Sequence, residues 1–183
     1  KRRVQILVGD FHVLNVAHHQ PVKLAAMEGI WKTEKGAALR LFAIPDQENE
    51  TNHFELTIPK AASLLITHDL DGEIAGLDQV EEKDRPQVAV VFTAFRIMLG
   101  LGGLMLLLGL MGAVARYKKL LFDFKPLLYL SVVMIPSGVI ATLAGWYVVE
   151  VGRQPWLVQG LVRTADVISP LPAETVAFTL GLF

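Results

Sequence analysis

Lys23, Glu28, Glu48 and Glu50 lie in a polar stretch of the chain, whereas Arg96, Met98, Trp146 and Glu150 lie inside or at the end of long apolar runs. A lysine and carboxylates held near one another can bind and deprotonate a small polar headgroup such as a quinol, because proton transfer needs positioned acids and bases. Each of the four is also a residue type that simply solvates a surface. Lys23 and Glu28 are five positions apart, about 140° around an ideal helix. They would flank a ligand only if it sat between them or if the helix ended there. An arginine such as Arg96 costs about 2.5 kcal/mol or more at mid-membrane, so it either snorkels to the headgroups or meets an anionic partner in the bundle. Met98 follows two residues later, and a thioether is a soft axial ligand for a haem iron. Methionines in such runs also pack, as Met105, Met111 and Met134 are expected to do.

Trp146, Glu150 and Arg153 are spaced by four and three, which places them on one helix face if the helix extends that far. That face is either an interfacial aromatic with a surface ion pair, or a carboxylate holding a metal or proton with Trp146 against a cofactor. Spacing leaves both open. His18 and His19 are adjacent rather than i,i+4 and are read as surface residues. No Gly-rich phosphate loop, G-x-S-x-G or H-E-x-x-H is present.

The elements that must position these residues follow from composition. The sequence is 52% hydrophobic with a mean hydropathy of +0.44, too apolar for an ordinary soluble domain. Charge and histidine concentrate before Pro86 and the apolar mass follows it, which implies a water-exposed segment and then membrane spans. A net charge of −1 is uninformative about partners, and the basic stripe that a nucleic-acid binder needs is missing, so no nucleic-acid partner is expected. The absence of cysteine excludes disulfides, thiolate metal sites and a cysteine nucleophile.

From Ile97 to Ala115 there is no charge, and with the preceding "VAVVFTAF" the run is long enough to span, with Asp84 and Pro86 as its start signals. A second span runs from Pro126 to Val149, where Pro136 and Gly138 predict a kink. A third begins near Ala173. The domain plan is therefore an outer-face segment over 1–85, a span over 86–115, a cytoplasmic loop over 116–125, a span over 126–149, an outer loop over 150–172 and the start of a span over 173–183. Arg116, Lys118, Lys119 and Lys125 put the short loop in the cytoplasm. Within the first segment, Leu24, Met27 and Trp31 have helical spacing and "NHFELTIP" alternates like a strand. The start "KRRVQILVGD" lacks the continuous apolar core of a signal peptide, and the chain reads as a fragment.

Four stretches in this order, "HQPVKLAAMEG", "IPDQENETN", "FRIM" and "GWYVVEVGRQPW", resemble subunit I of the cytochrome bd quinol oxidases, and the similarity covers essentially the whole chain. The resemblance implies an all-α membrane protein: a transmembrane helix bundle of two complete spans and the start of a third, with an outer-face quinol-binding loop region. It implies that Lys23, Glu28 and Glu50 serve quinol binding and oxidation. Met98 matches an axial ligand of a low-spin haem b, and Arg96 an arginine that stabilises that haem's reduced form. Glu150 matches the ligand of a high-spin haem b and Trp146 an aromatic between the haems. Arg153 and Gln154 belong to the outer "GRQPW" signature, Arg153 as a charge-balancing group for haem propionates or the adjacent loop. "GDFHVLN" and the direct run from Gly76 to Met98 look like the short-loop, cyanide-insensitive branch, so the third haem is either haem d or b-type.

The activity so implied is quinol:oxygen oxidoreduction in a bacterial cytoplasmic (inner) membrane, by a multi-pass respiratory subunit. Its partners would be subunit II, a small accessory subunit, quinol, oxygen and the bilayer. The N-terminal spans with the histidine ligands would be missing, and the fragment alone would be inactive. From a different class, the residues also admit a haem-free transporter subunit with an extracytoplasmic domain, in which Arg96 and Glu150 are ion-pair or proton-relay groups.

Overall fold

The structure, a computed structural model, describes residues 14–158, 160–167 and 171–182. The stretch over 4–9 weighed as a signal peptide, most of "GDFHVLN" and the terminal Phe183 lie outside the described residues. Helix α1 (Pro21–Glu28) opens with proline at its first turn and closes on Gly29 at φ +65°. The left-handed conformation costs glycine nothing, and it ends the helix one turn before Trp31. The helical spacing of Leu24, Met27 and Trp31 therefore overruns the helix, and Trp31 is buried from the loop beyond it.

Short strands follow, so the all-α expectation is corrected. Strand β1 (Glu34–Lys35) pairs with β4 (Glu73–Ile74), and β2 (Leu39–Asp46) pairs antiparallel with β3 (Thr51–Ile58). The β2–β3 ribbon matches Ile44 to His53 and Asp46 to Thr51 around a turn over residues 47–50. β-branched and aromatic residues on each side of a polar turn, Phe42 and Ile44 before it and Thr51, Phe54, Thr57 and Ile58 after it, favour a ribbon over a helix. Helix α2 (Ala61–Thr67) lies between the ribbons, and from the tryptophan of "GRQPW" onward a third ribbon forms from β5 (Trp156–Val158) and β6 (Val162–Arg163).

The long helix α3 (Val88–Tyr117) is the one described helix long and apolar enough by itself to cross a membrane. It starts later than Asp84 and Pro86 suggest. Asp84 belongs to a 3-10 turn, and the backbone N–H of Val88 donates to Gln47 Oε1 at 3.2 Å, a cap brought from the β2–β3 turn. The second apolar run is two helices, α4 (Lys125–Val133) and α5 (Ser137–Val151), bent by 43° at the break before Ser137. Pro136 lacks an N–H, so the expected kink becomes a break. The final α6 (Ala173–Leu182) has ten residues. The described chain thus has one clear span and a second only if the bent pair is counted as one.

The core sits where the first segment meets the start of α3. Leu24, Ala25, Ala26, Ile30, Leu77, Val88 and Val91 form one buried cluster that reaches Val148 of α5. Burying each large apolar side chain there contributes about 1.5–3 kcal/mol. Farther along α3 the leucines are exposed, as for Leu106 and Leu110, a surface suited to lipid or to further helices rather than to water.

Candidate functional site

Glu28 is the last residue of α1 and is buried, 5% exposed. Nη2 of Arg96, two turns into α3, donates to Glu28 Oε2 at 2.6 Å. The guanidinium also lies 4.8 Å from the Phe92 ring centroid and 5.2 Å from that of Phe95. Arg96 therefore meets its anion inside the fold, and its side chain is only 10% exposed, so the snorkelling alternative is corrected. Burial lifts the Glu28 carboxyl above the ordinary glutamate range, and the pull of Arg96 opposes that lift without cancelling it.

Lys23 points to the other side of α1. Its stem packs on Gly152, where an added Cβ would lie 3.2 Å from Lys23 Cγ. It thereby reaches the end of α5, where Arg153 pairs with Glu150. Burial chiefly, and then Arg153, push the Lys23 ammonium below its ordinary range, while Glu150 acts against them. Lys23 and Glu28 are thus not brought together, as their angular separation on the helix requires. Glu50 joins neither. It occupies the end of the β2–β3 turn at φ +51° and accepts from Arg85 Nη1 at 2.5 Å. Glu48 is exposed beside it, and His18 and His19 are exposed as expected.

Met98 lines a cavity of about 270 Å³ between α1, α3 and α5, together with Lys23, Met27, Phe95, Gly145 and Val148. Its sulfur packs so tightly on α5 that a Cβ at Gly145 would lie 3.0 Å from Sδ. Trp146, the next residue, is 63% exposed on this chain. A second, more polar cavity of about 190 Å³ is lined by Lys23, Asp84, Arg153, Gln154 and Trp156. Gln154 Oε1 accepts from the Thr164 hydroxyl at 2.8 Å. Arg163 stacks over Trp156 and donates to Asp84 at 2.5 Å, which ties the β5–β6 ribbon to the approach of α3.

These residues suit a haem better than a multidentate metal site. Among the described residues no three His, Cys, Asp or Glu side chains converge as metal ligands, whereas a haem asks one side chain for each axial position. A thioether facing apolar space and a half-exposed carboxylate, Glu150, are separate donors of that kind. Nearby, Arg96 Nε and Nη1 and Arg153 Nε are buried without a hydrogen-bond partner. Unpaired buried guanidinium nitrogens are costly, and carboxylates such as haem propionates would satisfy them.

The sequence reading missed Gln47, Asn52, Arg85 and Gly145, all of which hold the site together. A signal existed for the first two. Every polar side chain of "DQENETN" was available to bond, but only its glutamates attract attention when acid–base chemistry is sought.

The model of the cytochrome bd terminal oxidase subunit I family matches residues 2–183. The chain is 33% identical over 97% of its length to cytochrome bd ubiquinol oxidase subunit 1 of Bacillus subtilis (strain 168), covering 40% of that protein. It is 30% identical over 94% of its length to cytochrome bd-II ubiquinol oxidase subunit 1 of Escherichia coli (strain K12), covering 46%. The solved bd oxidase of Geobacillus thermodenitrificans aligns with a TM-score of 0.77 at 29% identity, over 97% of this chain and 40% of that one. The chain thus spans less than half the length of the curated relatives it matches, and nothing in the comparisons supports the haem-free transporter alternative. By its sequence and its fold, this chain belongs to the cytochrome bd terminal oxidase subunit I family.

Proposed function

We propose that the complex to which this chain contributes oxidises quinol at the outer membrane face, reduces oxygen to water, and so adds to proton-motive force. One observation carries the reading beyond family membership: the buried Glu28–Arg96 pair joins the loop segment directly to the helix that bears Met98. Glu28 is suited to take a proton from a quinol hydroxyl, because burial raises its affinity for that proton toward the working range of a general base. Arg96, left as a buried cation once Glu28 is protonated, favours onward release of that proton. Lys23, half-buried and with its ammonium pushed down, donates a hydrogen bond to a headgroup oxygen or releases a proton outward. Glu50 acts at the mouth of the loop through Arg85.

Met98 would hold the iron of a low-spin haem b and Glu150 that of a high-spin haem b, with Arg96, Trp146, Arg153 and Gln154 around them. Such haems, with a third of the d or b type, supply the one-electron chemistry that links a two-electron quinol to oxygen. For the Glu150 site, Arg153 must share or yield its hold on the carboxylate. The arrangement would sit in a bacterial cytoplasmic membrane as a multi-pass protein. The 1–85 segment and the 150–172 loop would lie outside and the 116–125 loop inside, with subunit II and a small accessory subunit as partners.

The test is carried out on the full-length complex. Lys23→Ala and Glu28→Ala should lower quinol oxidation at least tenfold while reduced-minus-oxidised spectra keep their b-type bands. Undiminished quinol turnover in both variants would remove these residues from the quinol site. Absence of any b-type band in assembled wild-type complex would end the oxidase reading itself.

A further inference from the structure

We propose that Asn52, on strand β3, is a positioning residue for Glu28, an inference that rests on Glu28 acting at the quinol site. Three hydrogen bonds converge on its side-chain amide. Oδ1 accepts from Trp31 Nε1 at 3.0 Å, and Nδ2 donates to the Gly29 carbonyl at 2.9 Å and to Glu55 Oε1 at 2.7 Å. Chemistry orients the amide, because an indole N–H can only donate and a carbonyl can only accept. Gly29 immediately follows Glu28, and Trp31 is two residues farther on. One side chain therefore grips the chain at both points where it leaves α1.

Backbone bonds already close the turn, from the Ile30 N–H to the Ala25 carbonyl at 2.9 Å and from the Leu77 and Asp78 N–H groups to the Ile30 and Trp31 carbonyls at 3.1 and 3.0 Å, and Asn52 adds the side-chain hold on the Gly29 carbonyl. Gly29 sits at φ +65°, and a Cβ there would come within 3.3 Å of the Phe92 ring and 3.4 Å of Asn52 Oδ1. Asn52 and Phe92 thus flank the turn that aims Glu28 at Arg96. Glu55 is held in turn by Arg40, whose Nε donates to the same Oε1 at 3.0 Å, so the amide is anchored to the β2–β3 ribbon. Asn52 touches neither Arg96 nor the cavity at Met98 in any of these bonds. Its effect on quinol oxidation is assigned to the direction of the Glu28 carboxylate rather than to Glu50, two residues earlier on the same ribbon. Aspartate at this position would keep the shape but lose both donated bonds and face Glu55 with like charge.

The experiment is a double-mutant cycle in the full-length complex, with quinol kcat/KM and haem content measured for N52A, N52D, E28Q and N52A/E28Q. N52A should lower kcat/KM about tenfold and N52D at least as much, with b-type haem retained. In the E28Q background N52A should cost less than twofold further. Equal losses in both backgrounds would overturn the inference and leave Asn52 a simple staple of the hairpin. Full turnover in E28Q would instead refute the quinol role of Glu28, and the inference with it. Should E28Q leave no turnover to compare, the Glu28 carboxyl band supplies the readout. That band is identified in reduced-minus-oxidised infrared spectra by its loss in E28Q. It should shift in N52A, and an unmoved band would refute the proposal. Loss of haem in both N52A and N52D would assign Asn52 to assembly and overturn it equally.

Discussion

Replacing Glu28 with leucine while Arg96 remains should be the most destabilising single change in the loop segment. The two side chains are 7% and 10% exposed and 2.6 Å apart. At an effective dielectric near 20 their attraction is about 4 kcal/mol at typical charge separation. Removing one partner of such a pair costs about 3–5 kcal/mol, because the other charge stays buried. Glu28 is the acceptor for Nη2 of Arg96, and Nε and Nη1 have none among the described residues, so no protein group there replaces the lost carboxylate. The rings of Phe92 and Phe95 can return only about 0.5–2 kcal/mol by cation–π attraction. A net loss of about 3 kcal/mol corresponds to roughly a hundredfold faster opening of the α1 end. Amide hydrogen exchange in the intact complex reads this directly at Ala25 to Ile30. Glu28→Gln keeps an acceptor oxygen and, because burial already favours the uncharged side chain, should lose much less. The double variant E28L/R96M should recover to within about 1 kcal/mol of the parent, since an apolar pair of similar volume avoids both desolvation costs. Unchanged exchange in E28L, or losses for E28L and R96M that merely add, would refute the claim that this pair anchors the loop to α3.

Three further outcomes follow from the same geometry. Met98→Leu should alter the low-spin b-type band selectively while the high-spin component stays, and an unchanged spectrum would remove Met98 as an iron ligand. Gly29→Ala should destabilise the α1 exit by roughly 1–2 kcal/mol from the left-handed backbone alone, with added pressure on Phe92; thermal unfolding of the complex at parental temperature would count against it. Because burial raises the folded-state affinity of Glu28 for its proton, the folded state binds more protons between the ordinary glutamate value and that raised value. Local stability at α1 should then fall as pH rises through that window, and the slope should vanish in E28Q; an unchanged slope there would assign the pH dependence to another group.

Much of the helical organisation was legible in the sequence because hydrophobicity and proline act locally. The charge-free run ending at Ala115 specifies α3, and Pro136 breaks the second run whatever surrounds it. The alternation of "NHFELTIP" likewise marks β3. Family motifs in order were enough to name the family, since four short stretches at their intervals leave few alternatives. Boundaries were less legible. The helical spacing of Leu24, Met27 and Trp31 ran past Gly29, whose left-handed backbone outweighs periodicity. The start of α3 moved to Val88 because its cap comes from Gln47, 41 positions away.

The site was legible as a set of residue types but not as a set of neighbours. From sequence alone, Arg96 needed an anion and Glu28 needed a reason to exist, yet nothing local joins positions 68 apart. Only the packing of α1 against α3 brings them together. The same packing sends Lys23 toward Glu150 and Arg153, and commits Glu50 to Arg85. Periodicity and hydropathy report the solvent that each segment prefers, and so by itself the sequence determined that this chain has a polar segment, apolar helices and their breaks. Which charge faces which depends on low-dielectric contacts closed by distant segments, and those only the tertiary structure decided.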